Sequence, residues 1–255
     1  MASVVAIGRL ALSVCNYLAR FAALLRRTLS GSLGIGRHNL PTVLRITMMQ
    51  IFFTGFQAVI PVTVAAVAIG ILVLSVALQY LPVDYVQGVA SLVIVREVVP
   101  LILAFLIIGR SGTAITIEIG HMQLHDELRA LEVMGIPIEQ YVMLPRLVGC
   151  VVAFLMLQIY ADLFGLIGGY YGSAMIDLHL PAYPVADLLS GIEPSDFVLA
   201  CLKATLFGVV VSITAMQHGM EVTQSAREIP IATSRAVVRS LLLCLLLNTV
   251  ISVSA

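Results

Sequence analysis

The segment Phe52–Leu81 carries no charged residue along its whole length, and this constrains the fold more than any other feature of the sequence. A helix needs about 20 predominantly apolar residues to cross the hydrocarbon core of a membrane. Hydrophobic residues make up 60% of the chain and charged residues only 11%, against roughly 25% charged residues in an ordinary soluble domain. The sequence therefore predicts an integral membrane protein with little length left for a soluble domain.

Further stretches are also apolar enough to span a membrane. They are Leu92–Gly109, Leu144–Met175, Val198–Met216 and Val237–Val253. The last is the weakest candidate because Arg239 and Asn248 shorten its apolar core. The predicted fold class is an all-α membrane protein with five transmembrane helices, which form one membrane domain over residues 46–255.

The N-terminal 45 residues predict an amphipathic helix that lies in the membrane interface on the cytoplasmic side. Apolar residues recur there at helical spacing, while Arg9, Arg20 and Arg27 fall elsewhere on the helical wheel. The apolar positions are Leu10, Val14, Tyr17, Leu18, Phe21, Leu24 and Leu25. An acid-free, arginine-bearing start also resembles a transit peptide, but this periodicity favours a permanent interfacial helix.

The charge distribution predicts the orientation of the spans. No acidic residue precedes Asp84, whereas six arginines precede the first span: Arg9, Arg20, Arg26, Arg27, Arg37 and Arg45. Arginine-rich segments face the cytoplasm, so we expect a cytoplasmic N-terminus. With five crossings, the arginine-bearing segments Arg110–Arg146 and His218–Arg239 are also cytoplasmic, and the acidic segment Asp177–Asp196 and the C-terminus lie outside.

Arg96 and Glu97 stand side by side within the second apolar stretch. A charge near the centre of a membrane costs about 3 kcal/mol on insertion scales, so such residues face protein, water or a ligand. They mark a candidate site. The alternative is that the two side chains neutralise each other or brace a neighbouring helix, although adjacent residues on a helix point in different directions.

Polar and small residues inside the later spans raise further questions. Gly165, Gly169 and Ser173 recur every four residues, as do Gly168 and Gly172, which predicts close packing against another span of the same subunit. Asp162 is an intramembrane acid whose possible mate is Lys203.

No metal site is predicted. His121 and His125 lie four residues apart on a probable polar helix, without an H-E-x-x-H pattern. The four cysteines are dispersed through apolar segments and predict no disulfide framework.

A polar helix from Glu118 to about Met134 is predicted between the second and third spans. Leu124, Leu128 and Leu131 form a narrow apolar stripe along it, and Gly135 and Pro137 end it. The stripe packs either on the chain's own spans or in a groove of a cytoplasmic partner. We favour the partner because Lys203, the only lysine, has no P-loop around it, so an energy-driven machine needs a separate ATPase.

A set of residues at fixed spacing from Val95 to Arg235 resembles one known family. The set is Val95-Arg96-Glu97, Pro100, Gly109-Arg110, Gly112, Glu118-Ile119-Gly120, Met122, Leu128, Glu132, Met134, Pro145-Arg146 and Thr233-Ser234-Arg235. In this combination the chain resembles the MlaE (YrbE-type) permeases of MCE-linked ABC lipid transporters, from about Thr54 onward.

The resemblance implies an assembly. Its members are a second copy of the chain, a cytoplasmic ABC ATPase dimer, a periplasmic MCE-domain protein and membrane lipid. A small regulatory subunit is a further possible member, and no nucleic-acid partner is expected. ATP and Mg²⁺ would be bound by the ATPase, so this chain is expected to be a non-catalytic subunit without its own cofactor. The expected location is a bacterial inner membrane.

The resemblance also implies site residues. A phospholipid would occupy a pocket near Arg96 and Glu97, for which Val73, Ala77 and Tyr80 of the first span are wall candidates. The segment that contacts the ATPase would be the coupling helix, with Glu118, Leu124, Glu127, Leu128, Leu131, Met134 and Gly135.

Two other classes of function compete with this interpretation. An ion-coupled secondary transporter would use Glu97, Asp162 and Lys203 as a relay and would need no ATPase. An intramembrane enzyme is disfavoured because the chain lacks H-E-x-x-H, G-x-S-x-G and clustered aspartate motifs.

Overall fold

A computed structural model describes residues 2–33, 40–80, 88, 90–176, 194–223 and 225–254, and every element within these residues is a helix. Helices long and apolar enough to cross a membrane occupy Leu40–Ala77, Leu92–Leu124, Glu139–Met175, Pro194–Met220 and Glu228–Ser254, hereafter the first to fifth spans. The predicted all-α fold with five spans is confirmed. Most of the acidic segment Asp177–Asp196 lies outside the described residues.

The N-terminal helix runs from Ala2 to Leu33, and its side chains are described from Cys15 onward. Phe21, Leu24 and Leu25 pack against a buried cluster that includes Ile213 and Met216 of the fourth span. This face of the helix therefore rests on the bundle, as its helical spacing suggests. Leu18 departs from the pattern, with 47% of its surface exposed.

The first span begins at Leu40, well before the predicted start at Phe52. Its two helices, Leu40–Thr54 and Val59–Tyr80, are joined by a short 3₁₀ turn at Phe56–Ala58. Arg45 is the only charged residue between Leu40 and Phe52. Its side chain is exposed, so the helix can run through this position without burying a charge.

The second span combines two helix types. It is π-helical at Ala90–Val98, α-helical at Val99–Ile107, π-helical again at Ile108–Gly112 and α-helical at Thr113–Leu124. It thus continues past Gly109, where the apolar stretch ends, because Ile115 and Ile119 keep one face buried.

The third span starts with a π-helical turn at Glu139–Met143 and continues as an α-helix at Leu144–Ile176. The fourth and fifth spans are single α-helices, Pro194–Met220 and Glu228–Ser254. The fourth span is the most buried of the five, whereas the first and fifth are the least buried. The fourth span therefore forms the centre of the bundle, and the first and fifth leave large apolar faces uncovered.

The glycine seam of the third span packs against the first span of the same chain, as predicted. A Cβ atom added to Gly169 would lie 2.7 Å from the Cα of Gly70, and one added to Gly168 would lie 2.7 Å from Cγ2 of Val67. Only glycine allows the two backbones to approach this closely, which is the usual role of small residues between membrane helices.

Candidate functional site

Arg96 and Glu97 lie near the end of the π-helical segment Ala90–Val98. Short π-helical segments within α-helices frequently mark functional sites. Pro100 follows and has no backbone N–H, so the carbonyl of Arg96, four residues earlier, lacks its usual helical donor. The side chain of Lys203 takes that place, because its Nζ donates to the Arg96 carbonyl oxygen at 2.8 Å. The helix geometry thus brings the only lysine to the charged pair.

Side chains from the fourth and fifth spans hold the carboxylate of Glu97. Lys203 Nζ lies 3.0 Å from Oε1, and Asn248 Nδ2 donates to Oε2 at 2.9 Å. Ser252 Oγ lies 2.7 Å from Oε1 and 2.9 Å from Oε2. We call Glu97, Lys203, Asn248 and Ser252 the Glu97 cluster. It ties three spans together through one carboxylate.

Lys203 is completely buried, with none of its surface exposed. Its ammonium group has three acceptors within reach, namely Arg96 O, Glu97 Oε1 and Ser252 Oγ at 2.9 Å. An ammonium group carries three N–H donors, so all of them are satisfied. A buried charge is tolerated only when it is paired and hydrogen-bonded in this way.

Arg96 is held less tightly than Lys203. Its Nε lies 3.8 Å from Glu97 Oε1 and its Nη1 lies 3.9 Å from Asp196 Oδ1, with 17% of the side chain exposed. Both distances exceed hydrogen-bond length. The guanidinium therefore keeps donors that can turn toward an anionic group, and a tight mutual pair of Arg96 and Glu97 does not form.

The expected pairing of Lys203 with Asp162 is wrong. Lys203 binds Glu97, whereas Asp162 accepts hydrogen bonds from Gln158 Nε2 at 2.9 and 3.1 Å. The residues of the ion-coupled alternative are thus not joined as a set, because Asp162 has a different partner from the other two. Sequence spacing could not reveal this, since it does not show which faces of separate helices meet.

Two members of the Glu97 cluster were not predicted as site residues. Asn248 was interpreted only as a weakness in the fifth span, and Ser252 was overlooked. Their spacing in the sequence could have indicated both residues, because residues four apart lie on the same face of a helix. Two polar residues on one face of an apolar span indicate a partner inside the membrane.

The wall candidates of the first span occupy different environments. Ala77 is only 5% exposed and Val73 packs against the same central core. Tyr80 is 75% exposed at the end of the helix. Ala77 is therefore covered by its own bundle, whereas Tyr80 is open to its surroundings, and their role as wall residues stays a prediction.

The predicted helix from Glu118 to Met134 is instead two helices. The second span ends at Leu124, and a separate surface helix occupies Glu127–Val133. Asp126 separates them in the left-handed conformation, with φ of 57°, which is uncommon for a residue other than glycine. Gly135, with φ of 75°, ends the surface helix as expected of a glycine C-cap.

The leucine stripe packs on the chain's own helices, the alternative that the sequence analysis disfavoured. Leu128 is 5% exposed and shares a buried cluster with Leu131, while Leu124 packs beside Ile229. The surface that this segment offers outward lies at its end instead. Val133 and Met134 are 82% and 65% exposed.

The polar members of this segment face outward. Glu127 is exposed, and Glu118 has a side chain that is 59% exposed while its Oε1 lies 2.8 Å from Arg146 Nη2. Arg146 lies in the first turn of the α-helix Leu144–Ile176 of the third span, so this ion pair links the second and third spans near the surface helix.

The chain was compared with known proteins and protein families. The profile of one family, described as permease MlaE, matches residues 47–254. The match covers the first span from residue 47 onward and the other four spans in full, and it includes the Glu97 cluster, Arg96 and the surface helix.

Individual relatives extend this similarity. A probable ABC transporter permease protein of Rickettsia prowazekii is 27% identical over 217 residues, which is 83% of each chain. A probable ABC transporter permease protein of Synechocystis is 33% identical over 171 residues, 66% of this chain and 64% of the relative. The intermembrane phospholipid transport system permease protein MlaE of Haemophilus influenzae is 26% identical over 257 residues, 97% of this chain and 95% of the relative.

Proposed function

Because the chain belongs to the MlaE permease family, we propose that it is the transmembrane subunit of an ATP-driven ABC transporter for phospholipid or a similar amphiphile. The lipid would move between the inner membrane and an MCE-protein path to the outer membrane. The relative from Haemophilus influenzae, named for intermembrane phospholipid transport, supports this substrate class. The observation that carries the proposal is the buried Glu97 cluster with the loosely held guanidinium of Arg96 beside it.

Arg96 is the proposed contact for the lipid phosphate. A guanidinium binds phosphate in a bidentate geometry, and the ion-pair distances of 3.8 and 3.9 Å leave its donors uncommitted. In this role Glu97 positions Arg96 and Lys203 neutralises Glu97.

The energy source would be a separate ATPase dimer that binds ATP and Mg²⁺. This sequence contains one lysine, and that lysine is buried in the Glu97 cluster instead of a P-loop. The exposed end of the surface helix, with Val133 and Met134, is the proposed contact with the ATPase. Closure of the ATPases would push on this end and rock the spans.

The proposed assembly contains two copies of this chain, the ATPase dimer and a periplasmic MCE-domain protein, with room for a small regulatory subunit. The exposed apolar faces of the first and fifth spans leave area for lipid and for the second copy. The proposed location is the bacterial inner membrane, with the N-terminus in the cytoplasm and the C-terminus in the periplasm, because arginines flank one side of the spans.

The proposal is tested by purifying the tagged chain from its native membrane and identifying the subunits and lipids that accompany it. We expect an ABC ATPase, an MCE-domain protein and bound phospholipid. Arg96→Ala should reduce the retained phospholipid about tenfold, which corresponds to the loss of one hydrogen bond between charged groups.

Arg26→Ala is the matched control, because Arg26 is exposed on the N-terminal helix and lies far along the chain from the Glu97 cluster. It should retain lipid as the unaltered chain does. Equal lipid retention in Arg96→Ala and Arg26→Ala would remove Arg96 from the proposed pocket, and absence of any ATPase from the purified material would contradict the ABC assembly.

A further inference from the structure

A cavity of about 450 Å³ opens between the first, second and third spans. Arg110, Glu118 and Arg146 line it together with neutral polar residues. Arg110 follows Arg96 by fourteen positions along one nearly continuous helix, so the backbones of the two residues are about 20 Å apart along its axis at 1.5 Å per residue. The cavity is therefore distinct from the Glu97 cluster.

Both arginines have a buried N–H group without a partner among the described residues. Arg110 donates through Nη2 to Gln57 Oε1, while its Nη1 is buried and unpaired. Arg146 donates through Nη1 to the Val142 carbonyl at 2.9 Å and pairs with Glu118, while its Nε is buried and unpaired. Arg146 is only 8% exposed. Buried donors are normally paired, so these two N–H groups can serve an acceptor that enters the cavity.

The charge balance of the cavity favours a monovalent anion. Arg110 and Arg146 contribute two positive charges and Glu118 one negative charge, which leaves one positive charge. A phosphate diester carries a single negative charge and offers oxygens that match guanidinium donors. Gln50, Ser111 and Tyr141 supply further polar groups on the wall.

The outer lip of the cavity is apolar. Ile46, Met49 and Phe53 line it and are 37%, 54% and 51% exposed. An acyl chain can follow these side chains away from the polar interior, whereas a free phosphate gains nothing from them. The combination of a cationic interior and an apolar lip is that of a site for an amphiphile.

We propose that this cavity binds the phosphate of a phospholipid at a second site, separate from the site beside Arg96. Arg110 Nη1 and Arg146 Nε donate to the phosphate, and the acyl chains lie against the first span. The site goes beyond the proposed transport pocket and does not require Arg96 or the Glu97 cluster.

The test uses the full chain with its copurified subunits in nanodiscs that contain phosphatidylglycerol with a radiolabelled phosphate, at subsaturating amounts. Tyr141 lies on the cavity wall and is replaced by the photoreactive residue p-benzoylphenylalanine. After illumination, the radiolabelled lipid crosslinked to the chain is counted. Adding Arg110→Gln should lower this label about tenfold, since one charge-assisted donor group is lost. Arg110→Lys should restore part of it.

The same photoreactive residue in place of Met156, which is 64% exposed on the third span, reports bulk lipid contact. Its label should not change with Arg110→Gln, which shows that the variant chain is folded and embedded. Arg227→Gln, at an exposed position outside the cavity, should leave the Tyr141 label unchanged. Equal loss in Arg227→Gln and Arg110→Gln would overturn the proposal, as would no loss in Arg110→Gln.

Two further arms separate this site from other sources of label. Excess inorganic phosphate should leave the Tyr141 label unchanged, and displacement by it would overturn the assignment to lipid in favour of free phosphate. Arg96→Ala should also leave that label unchanged even where it lowers lipid retention at the proposed transport pocket. A parallel loss at Tyr141 would show that the two sites are one.

Discussion

At the scale of single residues, Lys203 and Glu97 form the main ionic contact inside the bundle. Removing one partner leaves a buried charge without compensation, which costs about 3–5 kcal/mol, whereas replacing both with neutral residues costs far less. Because Lys203 is completely buried, we expect Glu97→Gln, which leaves its ammonium group without the acid, to destabilise the chain strongly and the double variant Glu97→Gln with Lys203→Met to recover most of that loss. Thermal unfolding in detergent, arranged as a double-mutant cycle, measures this. Additive effects of the two substitutions would show that the contact is not energetically coupled.

Asp162 provides a residue-scale test of the ion-coupled alternative. Its carboxylate is bonded to Gln158, and it is only 4% exposed. Asp162→Asn removes an ionisable group while keeping a polar side chain of nearly the same shape, so we expect lipid transport within about twofold of the unaltered chain. A transport assay in proteoliposomes checks this. Loss of transport in Asp162→Asn, with normal assembly, would favour the ion-coupled mechanism.

The sequence predicted Arg96 and Glu97 as candidate site residues because charges inside an apolar span need a reason to be there. It did not identify their partners. Lys203 was paired with the wrong acid, since the sequence does not show which helix faces meet. The role of Pro100 in freeing the Arg96 carbonyl for Lys203 became apparent only from the structure.

At the scale of helices, the seam between the first and third spans sets how closely they approach. Gly169→Ala places a Cβ 2.7 Å from the Cα of Gly70, where backbone must move. Overpacking of this kind costs about 1–3 kcal/mol, so we expect a lower unfolding temperature. Gly109→Ala is the matched control, because nothing lies within 4 Å of its added Cβ. Equal stability of the two variants would contradict the close seam.

The N-terminal helix is attached to the bundle by an aromatic and ionic contact. The Tyr17 ring stacks on His218 with centroids 6.0 Å apart, and Arg239 Cζ lies 4.6 Å from the Tyr17 ring centroid. Arg239 Nη1 lies 3.2 Å from His218 Nε2. Arginine only donates hydrogen bonds, so His218 Nε2 is the acceptor. The neutral imidazole therefore carries its proton on Nδ1, which lies 2.9 Å from Glu221 Oε2. Burial raises the pKa of the Tyr17 phenol, so the hydroxyl stays protonated at neutral pH.

Tyr17→Ala removes both the stacking and the cation–π contact, together worth about 1–2 kcal/mol. We expect backbone amides of residues 15–33 to exchange with solvent about tenfold faster while the spans are unaffected. Hydrogen exchange read by mass spectrometry measures this. Arg26→Ala, at an exposed position on the same helix, should exchange as the unaltered chain does, and the same rate in Tyr17→Ala would show that the contact does not hold the helix.

The length of the apolar stretches predicted the five spans, and helical periodicity predicted the N-terminal helix. It could not say what the leucine stripe packs against. Leu128 proved to be buried in its own chain. The break at Asp126 was also missed, because a left-handed residue other than glycine leaves little signal in the sequence.

At the scale of the whole molecule, the five spans form a bundle with the ionic Glu97 cluster inside it and exposed apolar faces on its flanks. The resemblance to MlaE permeases predicted the family, and the family match over residues 47–254 confirms it. Assembly with an ATPase and an MCE-domain protein stays a prediction, because exposed apolar residues such as Val133 and Met134 look the same in a single chain whether or not a partner covers them.

The central claim is that this chain moves lipid only through work done by a partner ATPase. It is tested by measuring movement of fluorescent phospholipid in proteoliposomes that contain the purified complex, with ATP, and with an ATPase whose P-loop lysine is replaced. The account predicts transport with the active ATPase and only background movement with the inactive one. Equal transport in both preparations would contradict it.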